Sequence, residues 1–129
     1  MKFTQQRQEG ANFIRRYGAD FIVVGEQEIR ASCIVGVNSL TPWAPRSVEE
    51  LGAEHLQVLF DLAPEVVVLA TGAAQKFPRA ALRAEFATRR IGLEVMEIGA
   101  AARTYNVLVG EERRVLAAVL LPGPAKRSE

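Results

Sequence analysis

The run Glu65-Val66-Val67-Val68-Leu69-Ala70, bounded by Pro64 and by Thr71-Gly72, constrains this chain more than any other segment. Successive side chains of an extended chain point to opposite faces. Five apolar residues in a row therefore leave neither face for water, which is the condition of a parallel strand covered on both sides. The rest of the chain must supply two covering layers.

The flanking sequence reads as those layers. Ser47-Val48-Glu49-Glu50 has the form of a capping box opening a helix. Val48, Leu51, His55, Leu59 and Leu62 then follow helical spacing until Pro64. A second helix is expected from Pro78, with Leu82 and Phe86 one turn apart on its inner face and Gly92 closing it. Strand 93–98, a short helix 99–109 and a last strand 113–121 complete an alternating half. Pro122-Gly123-Pro124 ends it.

The first third reads differently. Segments 12–16 and 20–24 are extended runs about Tyr17-Gly18-Ala19, and 28–37 is a third strand with partial alternation. Together they predict an antiparallel meander. Residues 40–45, Leu-Thr-Pro-Trp-Ala-Pro, form a rigid loop with an anchored tryptophan, since each proline also restricts the residue before it. The fold class that follows is α/β: a single three-layer domain, a mixed central sheet flanked by helices, with the meander added to it. The expected division is a polar segment 1–9, the domain 10–121 and a frayed tail 122–129.

Composition narrows the function. Half the residues are hydrophobic (49%) and a quarter charged (24%), with 16 Lys+Arg against 15 Asp+Glu. That balance suits a folded domain and gives no electrostatic reason to expect nucleic acid as partner. No apolar run approaches the roughly 20 residues of a membrane span, and the polar start lacks a signal-peptide core, so the expected location is the cytoplasm, without direct membrane insertion. The single cysteine, Cys33, excludes an internal disulfide, and inside a strand it acts as a small hydrophobe.

Enzyme signatures are missing. There is no G-x-G-x-x-G and no G-x-x-x-x-G-K-[ST]. The single histidine, His55, sits on an apolar helix face, where packing is its expected role. No catalytic residue, metal or cofactor is implied.

The candidate site lies at the carboxyl ends of the two central strands, where open α/β sheets place ligands. Thr71, Gly72, Gln75 and Lys76 follow the first strand. Arg103, Tyr105 and Asn106 lie on the helix after the second, in a run with Thr104 of hydrogen-bonding residues that is unusual for a short helix. Two readings stand. Arg103, Lys76 and the Gly72 backbone form an anion site, or the run is a structural network tying the helix to Glu94, Glu97 or loop carbonyls. Trp43 has two readings as well: a surface anchor for a partner, or a cover for the end of the sheet. Glu111-Glu112-Arg113-Arg114 reads as a charge-balanced solvated corner.

These residues also carry a resemblance. Tyr17-Gly18, the strand around Ser32, Trp43 with Pro45, Pro64-Glu65, Thr71-Gly72, Phe77-Pro78, Gly92-Leu93-Glu94-Val95-Met96, Arg103-Thr104-Tyr105-Asn106-Val107-Leu108 and 112–118 resemble domain of unknown function 498 over 13–121. That family includes a mitochondrial assembly factor of respiratory complex I and an adipogenesis-associated protein. The resemblance implies a three-layer α/β domain, no established enzymatic activity, and another protein as partner, such as a respiratory or membrane-biogenesis component. The family's cysteine before the arginine is Ala102 here, so thiol chemistry at that position does not apply. The expectation is a non-catalytic interaction or assembly protein; the alternative is a small-molecule or anion binder, or an enzyme, using the Gly72 loop and the Arg103–Tyr105 cluster.

Overall fold

The computed structural model describes residues 10–123. The polar segment 1–9 and the tail from 124 onward, expected to fray, lie outside the described residues. The strands are β1 (Ile14–Gly18), β2 (Phe21–Val24), β3 (Gln27–Ile29), β4 (Ala31–Gly36), β5 (Ser39–Pro42), β6 (Val66–Ala70), β7 (Gly92–Met96) and β8 (Val115–Pro122). The helices are α1 (Ala53–Asp61), α2 (Ala80–Thr88) and α3 (Ile98–Gly110), with a short 3-10 turn at Val48–Glu50.

The central sheet runs β5-β4-β8-β6-β7, and β1-β2-β3 forms a separate antiparallel sheet. β6 pairs in parallel with both β7 and β8, whereas β4 pairs antiparallel with β8 and β5. The sheet is therefore mixed, and its central members are covered on both faces. Alternate residues of one strand enter opposite cores. Val66, Val68 and Ala70 face the layer of α3 and the meander, while Val67 and Leu69 face α1 and α2. β8 repeats the pattern: Val115, Ala117, Val119 and Leu121 enter the first core, Leu116, Ala118 and Leu120 the second. The three-layer α/β architecture expected from the 65–70 run is the one observed.

Several local expectations are corrected. The third strand, expected over 28–37, is two strands in two sheets, broken at Arg30, so that β3 closes the meander and β4 joins the central sheet. The loop 40–45 begins as edge strand β5, where Pro42 at its end needs no ladder N–H. Ser47 does not cap a helix: it is extended, makes no side-chain cap bond, and the Glu50 carboxylate accepts instead from the Arg46 N–H (2.8 Å). The helix begins after Gly52, whose N–H donates to His55 Nδ1 (2.9 Å). This later start turns the helical face. Leu56 and Leu59 are buried, whereas Leu62, expected beside them, is 41% exposed. Pro78 precedes α2 by two positions rather than opening it. The ends of the other elements fall within two residues of expectation.

Among the described residues, α1, α2 and α3 close alike without glycine. The residues just past their C-caps, Ala63, Arg90 and Glu112, have φ of 53°, 57° and 63°. Arg90 N–H donates to Ala87 O and Ile91 N–H to Phe86 O; Glu112 N–H donates to Val109 O and Arg113 N–H to Leu108 O. These are Schellman closures. Ala63 N–H likewise donates to Phe60 O, and Pro64, with no N–H, omits the second bond.

Candidate functional site

The carboxyl ends of β6 and β7 bring Thr71–Lys76 close to the start of α3, as the topology requires. The groups there are already engaged. Thr71 Oγ1 accepts from the Lys76 N–H (3.0 Å) and lies 2.7 Å from Ala74 O as donor, closing the loop on itself. Gln75 Nε2 donates to Val95 O (2.9 Å), covering the outer edge of β7. Gly72 turns the chain at φ 91°, a conformation that favours glycine, and its carbonyl accepts from Ile98 N–H (2.8 Å).

The N-terminus of α3, the position at which such folds hold an anion, carries the chain's own carboxylate. Glu97 is the N-cap; its Oε1 accepts from Gly99 N–H and its Oε2 from Ala100 N–H, each at 2.8 Å. With Gly72 O taking the Ile98 N–H, the first three helical N–H groups have acceptors. The two backbone N–H bonds hold the Glu97 carboxyl below the usual carboxylate range, and Arg103 adds to this. Arg103 Nη2 stands 4.0 Å from Glu97 Oε2, and its Nη1 donates to the Tyr17 hydroxyl (3.1 Å). Lys76 leans away, its ammonium 3.9 Å from Glu49. The proposed anion cradle of Arg103, Lys76 and the Gly72 backbone is thus filled on one side by Glu97 and drawn apart on the other.

The rest of the polar run serves the fold. Tyr105 is fully buried, donates its hydroxyl proton to Asn12 O (2.8 Å), and has its pKa pushed up by burial. Asn106 Oδ1 accepts from Ile14 N–H and its Nδ2 donates to Ile14 O, both at 2.9 Å. Arg103, Tyr105 and Asn106 together fasten residues 12–17 onto α3. Of the partners expected for such a network, Glu97 lies 4.0 Å from Arg103 and the loop carbonyl of Asn12 accepts from Tyr105, while β1 supplies the remaining bonds to Arg103 and Asn106. Gly99 belongs to the same contact, since a Cβ there would meet the Tyr17 hydroxyl at 2.9 Å. Ala101 and Ala102 are buried beneath it against the sheet.

Trp43 is 6% exposed in the second core, and its indole N–H donates to His55 O (3.1 Å). Its ring packs among the apolar side chains of that core. His55 caps α1 instead of only packing. Burial pushes the Cys33 thiol up to about 12, which fits a core residue and not a nucleophile. Among the described residues no three His, Cys, Asp or Glu side chains gather as metal ligands, and no helix is long and apolar enough to cross a membrane.

A cavity of about 410 Å³ opens at the opposite end of the sheet, where β6 and β8 begin. The turn after β4 (Val37, Asn38, Ser39), the end of α1 (Leu62, Ala63) and the start of β8 (Val115) form much of its wall, and Glu112, Arg113 and Arg114 lie around it. None of the residues expected to form the candidate site lines it. Its wall consists of element ends with no chemical signature; the paired arginines beside it were the one sequence mark, and they read as a solvated corner.

The molecule is thus a three-layer α/β domain whose most distinctive motif is spent on holding its own first strand. Residues 14–120 match the family model described as "Protein of unknown function (DUF498/DUF598)", and the chain belongs to that family. A Xanthomonas campestris protein solved by NMR is 36% identical and superposes with a TM-score of 0.82 over 92% of this chain and 90% of its own. Among curated proteins, NADH dehydrogenase [ubiquinone] 1 alpha subcomplex assembly factor 3 of Danio rerio is 29% identical over 123 residues, 94% of this chain. The Xenopus tropicalis protein of the same name is 25% identical over 112 residues, 85% of this chain. This chain spans 70% of the first and 61% of the second.

Proposed function

We propose that this protein is a non-catalytic interaction factor that serves the assembly of a larger complex, with a respiratory or membrane-biogenesis component as partner, and that it works from the cytoplasm. The observation that carries the reading is the similarity to an assembly factor along 94% of the chain. The local chemistry supports it. The polar motif that could have bound a substrate is engaged with β1, and the one thiol and the one imidazole serve packing and capping. The test is crosslinked affinity capture of the tagged full chain from its native cell under mild lysis. Specific recovery of respiratory or membrane-biogenesis subunits is the expected result. Repeated recovery of the bait alone would overturn the reading.

A further inference from the structure

We propose that the cavity at the amino ends of β6 and β8 is a binding site for a small amphiphilic monocarboxylate, a free medium-chain acyl acid. Its volume of about 410 Å³ falls in the range of small-molecule pockets, roughly 300–1,000 Å³. Val37, Leu62, Val109, Val115 and Leu116 give it an apolar lining suited to a hydrocarbon chain.

The rim selects the head group. Arg113 and Arg114 both converge on one carboxylate, Glu65. Arg113 Nε makes the direct bond, which holds the Glu65 carboxyl below its ordinary range. Arg114 takes the second place: its Nη1 is 3.7 Å from Glu65 Oε1, its Nε donates to Ala63 O (3.3 Å), and its side chain is 71% exposed. A guanidinium has five N–H donors, so Arg114 retains N–H groups that can donate to a second carboxylate. Asn38 and Ser39 supply polar groups across the opening.

The test is titration of the isotope-labelled full chain, followed by amide chemical shifts, with octanoate, octanol, octylammonium and acetate. Octanoate is expected to shift the Val37, Asn38, Leu62, Ala63 and Val115 amides saturably. Octanol binds about tenfold more weakly, and octylammonium and acetate leave those amides unshifted. Arg114→Gln, at an exposed side chain, should keep the native spectrum and weaken octanoate by about tenfold without affecting octanol. Octanol binding as tightly as octanoate, shifts confined to other surfaces, an unaffected Arg114→Gln variant, or no shift at millimolar octanoate would each overturn the proposal. The readout involves no partner protein, so its failure is distinct from failure of the assembly reading.

Discussion

The Asn106 carboxamide meets both backbone groups of Ile14, 92 residues away in sequence, as a neighbouring strand would. β1 has only β2 beside it in its sheet, so this side chain supplies hydrogen bonds that no second strand provides. Asn106→Leu keeps the approximate volume but leaves a part-buried N–H and C=O unpaired. A loss of about 2–4 kcal/mol is expected, seen as a melting temperature lower by about 10 °C. A change of only a degree or two would show that water replaces Asn106 at no cost.

This contact also shows where the sequence is legible. The run at 65–70 dictates a strand buried on both sides, and the two cores divide its side chains as alternation requires. The residue types at 103–106 mark a polar network, but spacing along one helix cannot name a partner near the other end of the chain. The strand expected over 28–37 fails for a related reason. Nothing local at Arg30 marks the passage from one sheet to another, because β4 is recruited by β8, which lies far along the chain. The Ser47-Glu50 pattern matches a capping box, and yet the imidazole of His55 reaches the Gly52 N–H and sets a later start. The cavity was illegible because its walls are ends of elements, brought together only by the finished sheet.

Ser32 repairs an irregularity in the central sheet. The β4–β8 register shifts between Ala31 and Cys33, and Ser32 Oγ accepts from Leu121 N–H (2.8 Å) and donates to Leu121 O (3.2 Å). The site is buried, so Ser32→Ala strands both backbone groups. The expected cost is about 1–3 kcal/mol in urea denaturation, with faster hydrogen exchange at the Leu121 amide. Unchanged exchange at Leu121 would contradict this role.

Glu97 links stability to acid. Its folded-state pKa lies below the ordinary 4.5 because Gly99 and Ala100 donate to the carboxylate. A depressed carboxyl contributes stability above its unfolded pKa and loses it as pH falls through the folded value. Glu65, held down by Arg113, acts in the same direction. The melting temperature should therefore fall below pH 4.5. Glu97→Gln lowers it at neutral pH and makes the acid decline shallower. Identical acid slopes in the two proteins would remove Glu97 from the account.

Arg90 closes α2 at φ 57° with the full pair of Schellman bonds. The left-handed conformation costs a residue with a Cβ about 1 kcal/mol and glycine almost nothing. Arg90→Gly should raise stability by up to about 0.6 kcal/mol, after roughly 0.4–1 kcal/mol for the greater freedom of glycine in the unfolded chain is discounted. A destabilised variant would mean that the Arg90 side chain contributes more than its backbone geometry costs.

Cys33 reports on these changes without perturbing the fold. It is 3% exposed on β4, and burial raises its pKa to about 12, so a thiol reagent meets it only when the strand opens. If opening is global, labelling follows the unfolding equilibrium. Ser32→Ala should then accelerate Cys33 labelling, and Arg90→Gly slow it, each by the factor found in denaturant titration. Labelling that quickens in Ser32→Ala but is untouched by Arg90→Gly would place the opening at the β4–β8 irregularity alone. In that case the bulge, and not the whole domain, would be the least stable unit of the sheet.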